Sequence, residues 1–316
     1  MRYYKKATLK IFHSINDFSS TKKTIITLGT FDGVHIGHKK ILDKVIQNTA
    51  TDEYASLVLT FFPHPRMVLQ GDSDIKLLNT IDEKIELLEK IGLNNLVIHP
   101  FDETFSRLTA EEFVKTILVD RFNIHKIIIG HDHRFGRNRT ANIDDLITYG
   151  KQYKFEVEQI SVQEINEISV SSTKIRNALL DGNITLANDY LGYNYFLTGT
   201  VVVGKQLGRT IGFPTANLEI EENYKLIPFN GVYIIKSVFD QKTIFGMMNI
   251  GFNPTVSGQV RSIEVHYFDF DSNLYGQKIS VSIIHRLRSE QKFNSVDLLK
   301  EQLEKDKMGA LQYLKL

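Results

Sequence analysis

Two histidines three residues apart, His35 and His38, close the stretch Gly29-Thr30-Phe31-Asp32-Gly33-Val34-His35-Ile36-Gly37-His38. The stretch follows an apolar run and opens a helical pattern. A helix start presents unpaired amides and the positive end of the macrodipole, which together suit an anion such as phosphate. Gly29 and Gly33 let backbone approach a ligand with no Cβ in the way. At i, i+3 on a helix both imidazoles face the same ligand. A capped turn with two surface histidines would read the same way. A zinc site is disfavoured, because no HExxH pattern occurs and Cys is 0.

A second stretch, Gly204-Lys205-Gln206-Leu207-Gly208-Arg209-Thr210-Ile211-Gly212-Phe213-Pro214-Thr215-Ala216-Asn217, spaces glycines so that a loop can fold over phosphates. Lys205, Gln206 and Arg209 rule out an apolar helix-dimer motif. No Gly-Lys-Ser/Thr closes it, so it is not a Walker A loop. A flexible hairpin would have the same glycines. Further on, Glu264 and His266 lie in a strand-like segment, where they share a face with Val265 pointing away.

The elements that must position these residues come in two rhythms. Apolar runs at 24–28, 56–62, 95–98, 126–129 and 154–160 predict buried strands with helices between them. Thr80 with Glu83 and Thr109 with Glu112 fit capping boxes, and Gly92 suits a left-handed helix end. Strand-helix alternation implies a parallel, open α/β sheet, which binds ligands at the carboxyl ends of its strands. After Asp181-Gly182 strand patterns follow one another at 195–204, 231–238, 243–250, 260–268 and 277–286. They predict an antiparallel barrel or sandwich, closed by a helix from about Ser295. The break falls at 182–194, giving domains 1–184 and 185–316.

A chain of 316 residues suits two domains, and at 42% hydrophobic it can bury a large core. The net charge of +1 offers no basic excess for nucleic acid. No apolar run approaches a membrane span and no leader precedes the first strand, so a cytoplasmic protein is expected. Oligomeric state is not legible.

Residues 29–38 resemble the HxGH signature of the nucleotidylyltransferase superfamily. Gly130-His131-Asp132-His133-Arg134-Phe135-Gly136, Ser171-Ser172-Thr173-Lys174-Ile175-Arg176 and Phe62-Pro63-His64-Pro65 add to the likeness. Pro214-Thr215-Ala216-Asn217 resembles the PTAN motif of riboflavin kinases. Asn249-Ile250-Gly251-Phe252-Asn253-Pro254-Thr255, Arg261-Ser262-Ile263-Glu264-Val265-His266 and Leu287-Arg288-Ser289-Glu290-Gln291-Lys292-Phe293 also look like segments of that family. Over nearly its whole length, and in order, the chain resembles the bacterial bifunctional riboflavin kinase/FAD synthetases.

The resemblance implies a Rossmann-like nucleotidylyltransferase domain followed by a kinase β-barrel with a terminal helix. It implies riboflavin, FMN and ATP as substrates, with Mg²⁺. In the first domain His35 and His38 would be catalytic. ATP would lie against Gly29, Phe31, Asp32, Gly33, Ser171, Ser172, Thr173 and Arg176, and flavin against Phe62, His64, Pro65, Asp132, Arg134 and Phe135. In the second, Glu264 would be the general base. Gly204, Gly208, Gly212, Thr215 and Asn217 would hold ATP, with Thr215 and Asn217 on the metal and Arg288 and Phe293 toward the flavin. Residue 133 is His where the family pattern has Phe. Two other readings use the same residues: an enzyme keeping one activity, and a flavin- or nucleotide-binding regulator without turnover.

Overall fold

Short runs of branched residues form strands because their side chains pack on a pleated surface without fighting a helix turn. The computed structural model describes residues 8–49, 53–69, 74–130, 134–160, 170–204, 207–255 and 258–316. Packing groups the chain into two units, Met1–Ser171 and Ser172–Leu316.

In the first unit β1 (Lys10–Phe12), β2 (Lys23–Leu28), α1 (Ile36–Gln47), β3 (Tyr54–Phe61), α2 (Pro65–Leu69) and α3 (Ile81–Ile91) come first. Then follow β4 (Asn95–His99), α4 (Glu103–Ser106), α5 (Ala110–Glu112), a π-helical stretch (Phe113–Arg121), β5 (Ile124–Gly130), α6 (Ile143–Tyr153) and β6 (Glu156–Ile160). The strands form one sheet in the order β1-β4-β3-β2-β5-β6, and every neighbouring pair is parallel. Alternate residues feed two cores: Leu57, Leu59 and Phe61 of β3 join Ile26 and Ile127 on one face, while Val58 joins Leu42 and Leu88 on the other. A sheet covered on both faces has no polar side, which is why its strands read as continuous apolar runs. From β2 the chain moves to β3 and β4 on one side, then crosses to β5 on the other. The strand order therefore reverses beside β2, and the ligand crevice belongs at the carboxyl ends there. Both capping boxes form, and Gly92 ends α3 at φ 92°. β1 escapes sequence reading because it has 3 residues, too few for a period.

The second unit contains α7 (Ser172–Leu180), α8 (Ile184–Leu191), β7 (Phe196–Val202), α9 (Leu207–Thr210), β8 (Ala216–Glu219), β9 (Gly231–Phe239), β10 (Lys242–Thr255), β11 (Gly258–Tyr267), β12 (Lys278–Arg288) and α10 (Val296–Leu314). Its strands close into a barrel in the order β10-β11-β8-β7-β12-β9. The choice between barrel and sandwich thus falls to the barrel. β8, only 4 residues, begins at the end of the stretch that reads as a loop. Ile263, Val265 and Tyr267 of β11 are buried, and by alternation Glu264 and His266 take the other, outer face. α10 covers part of that outer face, packing Ala310 near Val232, Ile234 and Met247. α7 and α8 are bonded to the barrel unit: Phe229 donates its amide to the Leu179 carbonyl at 2.9 Å and Asn188 Nδ2 donates to the Ile283 carbonyl at 3.0 Å.

Candidate active sites, one in each unit

The first site is the turn between β2 and α1. Its backbone takes positive φ at Phe31 (46°), Gly33 (86°) and Val34 (36°). Glycine adopts this freely, but Phe31 and Val34 are strained there and need external support. The Thr30 carbonyl accepts from Thr60 Oγ1 on β3 at 3.1 Å and from Lys84 Nζ on α3 at 2.7 Å. Asp32, 2% exposed, accepts from the Leu78 and Asn79 amides at 2.9 and 3.4 Å.

His35 caps α1, its Nδ1 accepting the His38 amide at 3.3 Å. Because Nδ1 accepts, the ring proton sits on Nε2. The two imidazoles stack with centroids 3.6 Å apart and planes 15° apart, and the Phe31 ring lies 5.1 Å from His38. Burial pushes His35 down to about 4, with Asp32 opposing. Burial also holds His38 well below the usual histidine range, helped by His35 and Lys84. Both rings are therefore neutral N–H donors at pH 7. The Nδ1 atom of His38 is sealed from solvent with no hydrogen-bond partner among the described residues.

Some of the other expected residues lie at neighbouring strand ends. Gly29 donates its amide to the Leu59 carbonyl of β3 at 3.1 Å, and Phe62, just beyond β3, donates to the His99 carbonyl at 3.1 Å. His64 Nδ1 accepts the Arg66 amide at 3.1 Å, and Pro65 opens α2. Past β5, Arg134 is exposed. Phe135 is buried in the core, its ring 6.0 Å from Phe113. Asp132 and His133 lie outside the described residues. Ser171 ends the first unit, while Ser172, Thr173 and Arg176 open α7 in the second.

The second site is built on one rung of the barrel. Register pairs Val202 with Asn217, Asn217 with Glu264, Glu264 with Asn249, Asn249 with Val232, and Val232 with Arg288. Directly opposed residues share a face, so the Glu264 carboxylate stands between two amides. A cavity of about 310 Å³ lies over this face, lined by Gly208, Thr215, Asn249, Glu264, His266, Arg288, Glu290 and Phe293 among others. A broader open groove of about 400 Å³ beside the α7–α8 turn shares only Arg288 with the expected site.

The glycines of the 204–217 stretch have separate reasons. A Cβ on Gly204 would lie 2.1 Å from Asn217 Nδ2, and one on Gly208 would lie 2.2 Å from the Phe213 carbonyl, while Gly212 sits at φ 86°. Lys205 and Gln206 lie outside the described residues. His266 Nδ1–H donates to the Pro214 carbonyl at 2.8 Å, and burial lowers its pKa. Arg288 forks onto the buried Asp306 of α10, Nε to Oδ1 at 2.8 Å and Nη2 to Oδ2 at 2.7 Å. Its Cζ lies 5.9 Å from the Phe293 ring centre. Glu290 accepts from the Phe252 amide at 3.2 Å and from Asn230 Nδ2 at 3.1 Å.

Among the described residues no group of three or more His, Cys, Asp or Glu could hold a metal. Thr215 and Asn217 form a different donor set, neutral hard oxygens suited to a cation that keeps phosphate oxygens as its other ligands. The missing Cβ at residue 204 leaves the space that the Asn217 amide occupies, so the residues present fit such an ion. Sequence reading assigns no role to Asn249 or Lys84. Asn249 opens one of the family-like segments, but only register puts it beside Glu264, and a buried lysine is written like an exposed one.

Known proteins match these two units. The FAD synthetase family profile matches residues 17–174 and the riboflavin kinase profile residues 191–314. A bifunctional riboflavin kinase/FMN adenylyltransferase of Buchnera aphidicola subsp. Schizaphis graminum is 38% identical over 303 residues, covering 94% of this chain and 96% of the relative. The Bacillus subtilis protein of the same name is 37% identical over 299 residues, 92% of each. A crystal structure named as a macrolide-efflux protein from Streptococcus pneumoniae superimposes with a TM-score of 0.85 at 31% identity, over 95% of this chain and 97% of that one. Among the described residues of this chain no helix is long and apolar enough to cross a membrane.

Proposed function

Because the chain belongs to the family of bifunctional riboflavin kinase/FMN adenylyltransferases, we infer that residues 185–316 phosphorylate riboflavin and residues 1–184 adenylylate the product. The chain is a transferase of small molecules: riboflavin and ATP give FMN and ADP, and FMN and ATP give FAD and pyrophosphate. The observation that carries the assignment of residues is the rung Asn217–Glu264–Asn249.

In the kinase step Glu264 accepts the proton of the riboflavin primary hydroxyl as its oxygen bonds to the γ-phosphorus and the bond to ADP breaks. A carboxylate within reach of that hydroxyl supplies general-base catalysis. Thr215 and Asn217 would hold Mg²⁺, which would neutralise phosphate charge. Gly204, Gly208 and Gly212 are assigned to the stretch that lies against the nucleotide. Arg288, braced by Asp306, and Phe293 wall the flavin side.

In the adenylylation step a phosphate oxygen of FMN attacks the α-phosphorus of ATP and pyrophosphate leaves. Such a transfer needs positioning and charge stabilisation, with no covalent enzyme intermediate. His35 and His38 supply neutral N–H donors beside the α1 dipole, on a turn formed by Gly29, Phe31, Asp32 and Gly33. Asp32 acts from inside the fold, holding amides. Ser171, Ser172, Thr173 and Arg176 are assigned to ATP, and Phe62, His64, Pro65, Asp132, Arg134 and Phe135 to the flavin. The cytoplasm, where ATP is made available, is the proposed location.

Incubation with riboflavin, ATP and Mg²⁺, followed by separation of flavins, should yield FMN and then FAD. Changing His35 or His38 to Ala should slow FAD formation about 10²–10³-fold, the effect of losing one preorganised donor, and leave FMN formation intact. FMN without FAD from the unaltered protein would favour a single kinase activity, and equal loss of both products would argue against separate sites.

A further inference from the structure

Lys84 is 4% exposed, and a buried ammonium is costly unless something in the fold needs it. It donates a hydrogen bond to the Thr30 carbonyl at 2.7 Å. That peptide immediately precedes Phe31, held at φ 46°. The Thr60 hydroxyl reaches the same carbonyl from β3, while the amides leading into α3 hold Asp32. The strained turn is thus pinned from β3 and α3 just before it delivers His35 and His38. Lys84 also lies near enough to His38 for its charge to oppose protonation of that ring.

We propose that Lys84 is a positioning residue for adenylyl transfer: its charged hydrogen bond fixes the Thr30 peptide, and its buried positive charge backs the two neutral histidines toward the nucleotide phosphates. This rests on the adenylylation reading of the first unit. The ionisable groups facing Lys84 are Asp32 from the turn and His38 from α1. β3 contributes the neutral Thr60 hydroxyl, and Glu83, its neighbour on α3, is engaged in the Thr80 capping box.

Burial brings the titration of Lys84 down to about 8, with Asp32 opposing. The ammonium is present below that pH and lost above it, so kcat/KM for FAD formation should fall as pH rises through about 8. FMN formation by the same protein should show no such step from this group.

Lys84→Met should lower kcat/KM for FAD about 10–100-fold, the worth of one hydrogen bond to a charged group, and should lose the alkaline step. Lys84→Arg keeps its charge throughout and should also lose the step while retaining more activity. An alkaline step that survives in Lys84→Met would overturn the proposal. So would a flat profile through pH 8 in the unaltered protein, a measurement that does not depend on any variant folding. FMN production with no FAD at any pH would sink the adenylylation reading and this inference with it. FAD production with a flat profile would sink this inference alone.

Discussion

Glu264 owes its place to hydrogen-bond register: β8 and β10 put Asn217 and Asn249 on either side of it. A carboxylate there and the Thr215/Asn217 pair have different jobs, so their loss should look different. Glu264→Gln keeps the size and some hydrogen bonding but cannot take a proton. It should cut kcat for FMN formation about 10²–10⁴-fold with ATP binding nearly unchanged, whereas Thr215→Ala and Asn217→Ala should also weaken Mg²⁺-ATP binding. Conversion of added FMN to FAD should persist in all three. A rate for Glu264→Gln within about threefold of the parent at saturating substrates would remove it from the base role. Proposed site residues of this kind are spelled by motifs: His35 and His38 by their spacing, Thr215 and Asn217 by their tetrapeptide. Lys84 and Asn249 are not, because burial and cross-strand proximity are set by residues far away in the chain.

The strands and helices were legible wherever their side chains kept a period. The buried runs of β2 to β5 and both capping boxes could be read directly, since apolar continuity and a Thr-x-x-Glu pattern are local. β8 could not: its 4 residues follow a Pro and a glycine-rich stretch, and only pairing with β7 and β11 makes them a strand. The junction between β7 and β8 is also where a small change has a directed effect. In Gly204→Ala the new methyl would fall 2.1 Å from Asn217 Nδ2, the movable end of a side chain. The fold should survive, with stability changed by about 1 kcal/mol or less, while the Asn217 amide is forced from its place. A raised KM for Mg²⁺-ATP in FMN formation, with FAD formation from FMN untouched, is the expected kinetic result. Loss of both activities together would mean that residue 204 matters for the fold instead. At the far end of the same face Arg288 and Asp306 join β12 to α10. Removing one partner of such a buried pair costs about 3–5 kcal/mol, so Asp306→Ala should melt the barrel unit well below its normal temperature.

At the scale of the whole chain, the change from alternating to consecutive strands announced two domains. The change in rhythm follows α7, yet α7 and α8 bond to the barrel, and packing divides the chain between Ser171 and Ser172. A helix pair carries no sign in its sequence of which neighbour it will join. A protein made of Ser172–Leu316 alone should therefore fold and convert riboflavin to FMN, and should make no FAD. Failure of that fragment to fold, with longer ones succeeding, would show that the kinase half depends on the first. The ladder between β10 and β11 runs without a break from Gly246–Tyr267 to Thr255–Gly258, whereas β12 shifts register twice against β9, between Ile283 and His285 and between Arg286 and Arg288. In genetic terms the two strands carry different risks. Loss of the codon for Ile263 would exchange inner and outer residues on one side of the gap, so that in-frame deletion should cost FMN formation, while β12, where Ile284 already stands outside the pairing with β9, should tolerate loss of its codon better.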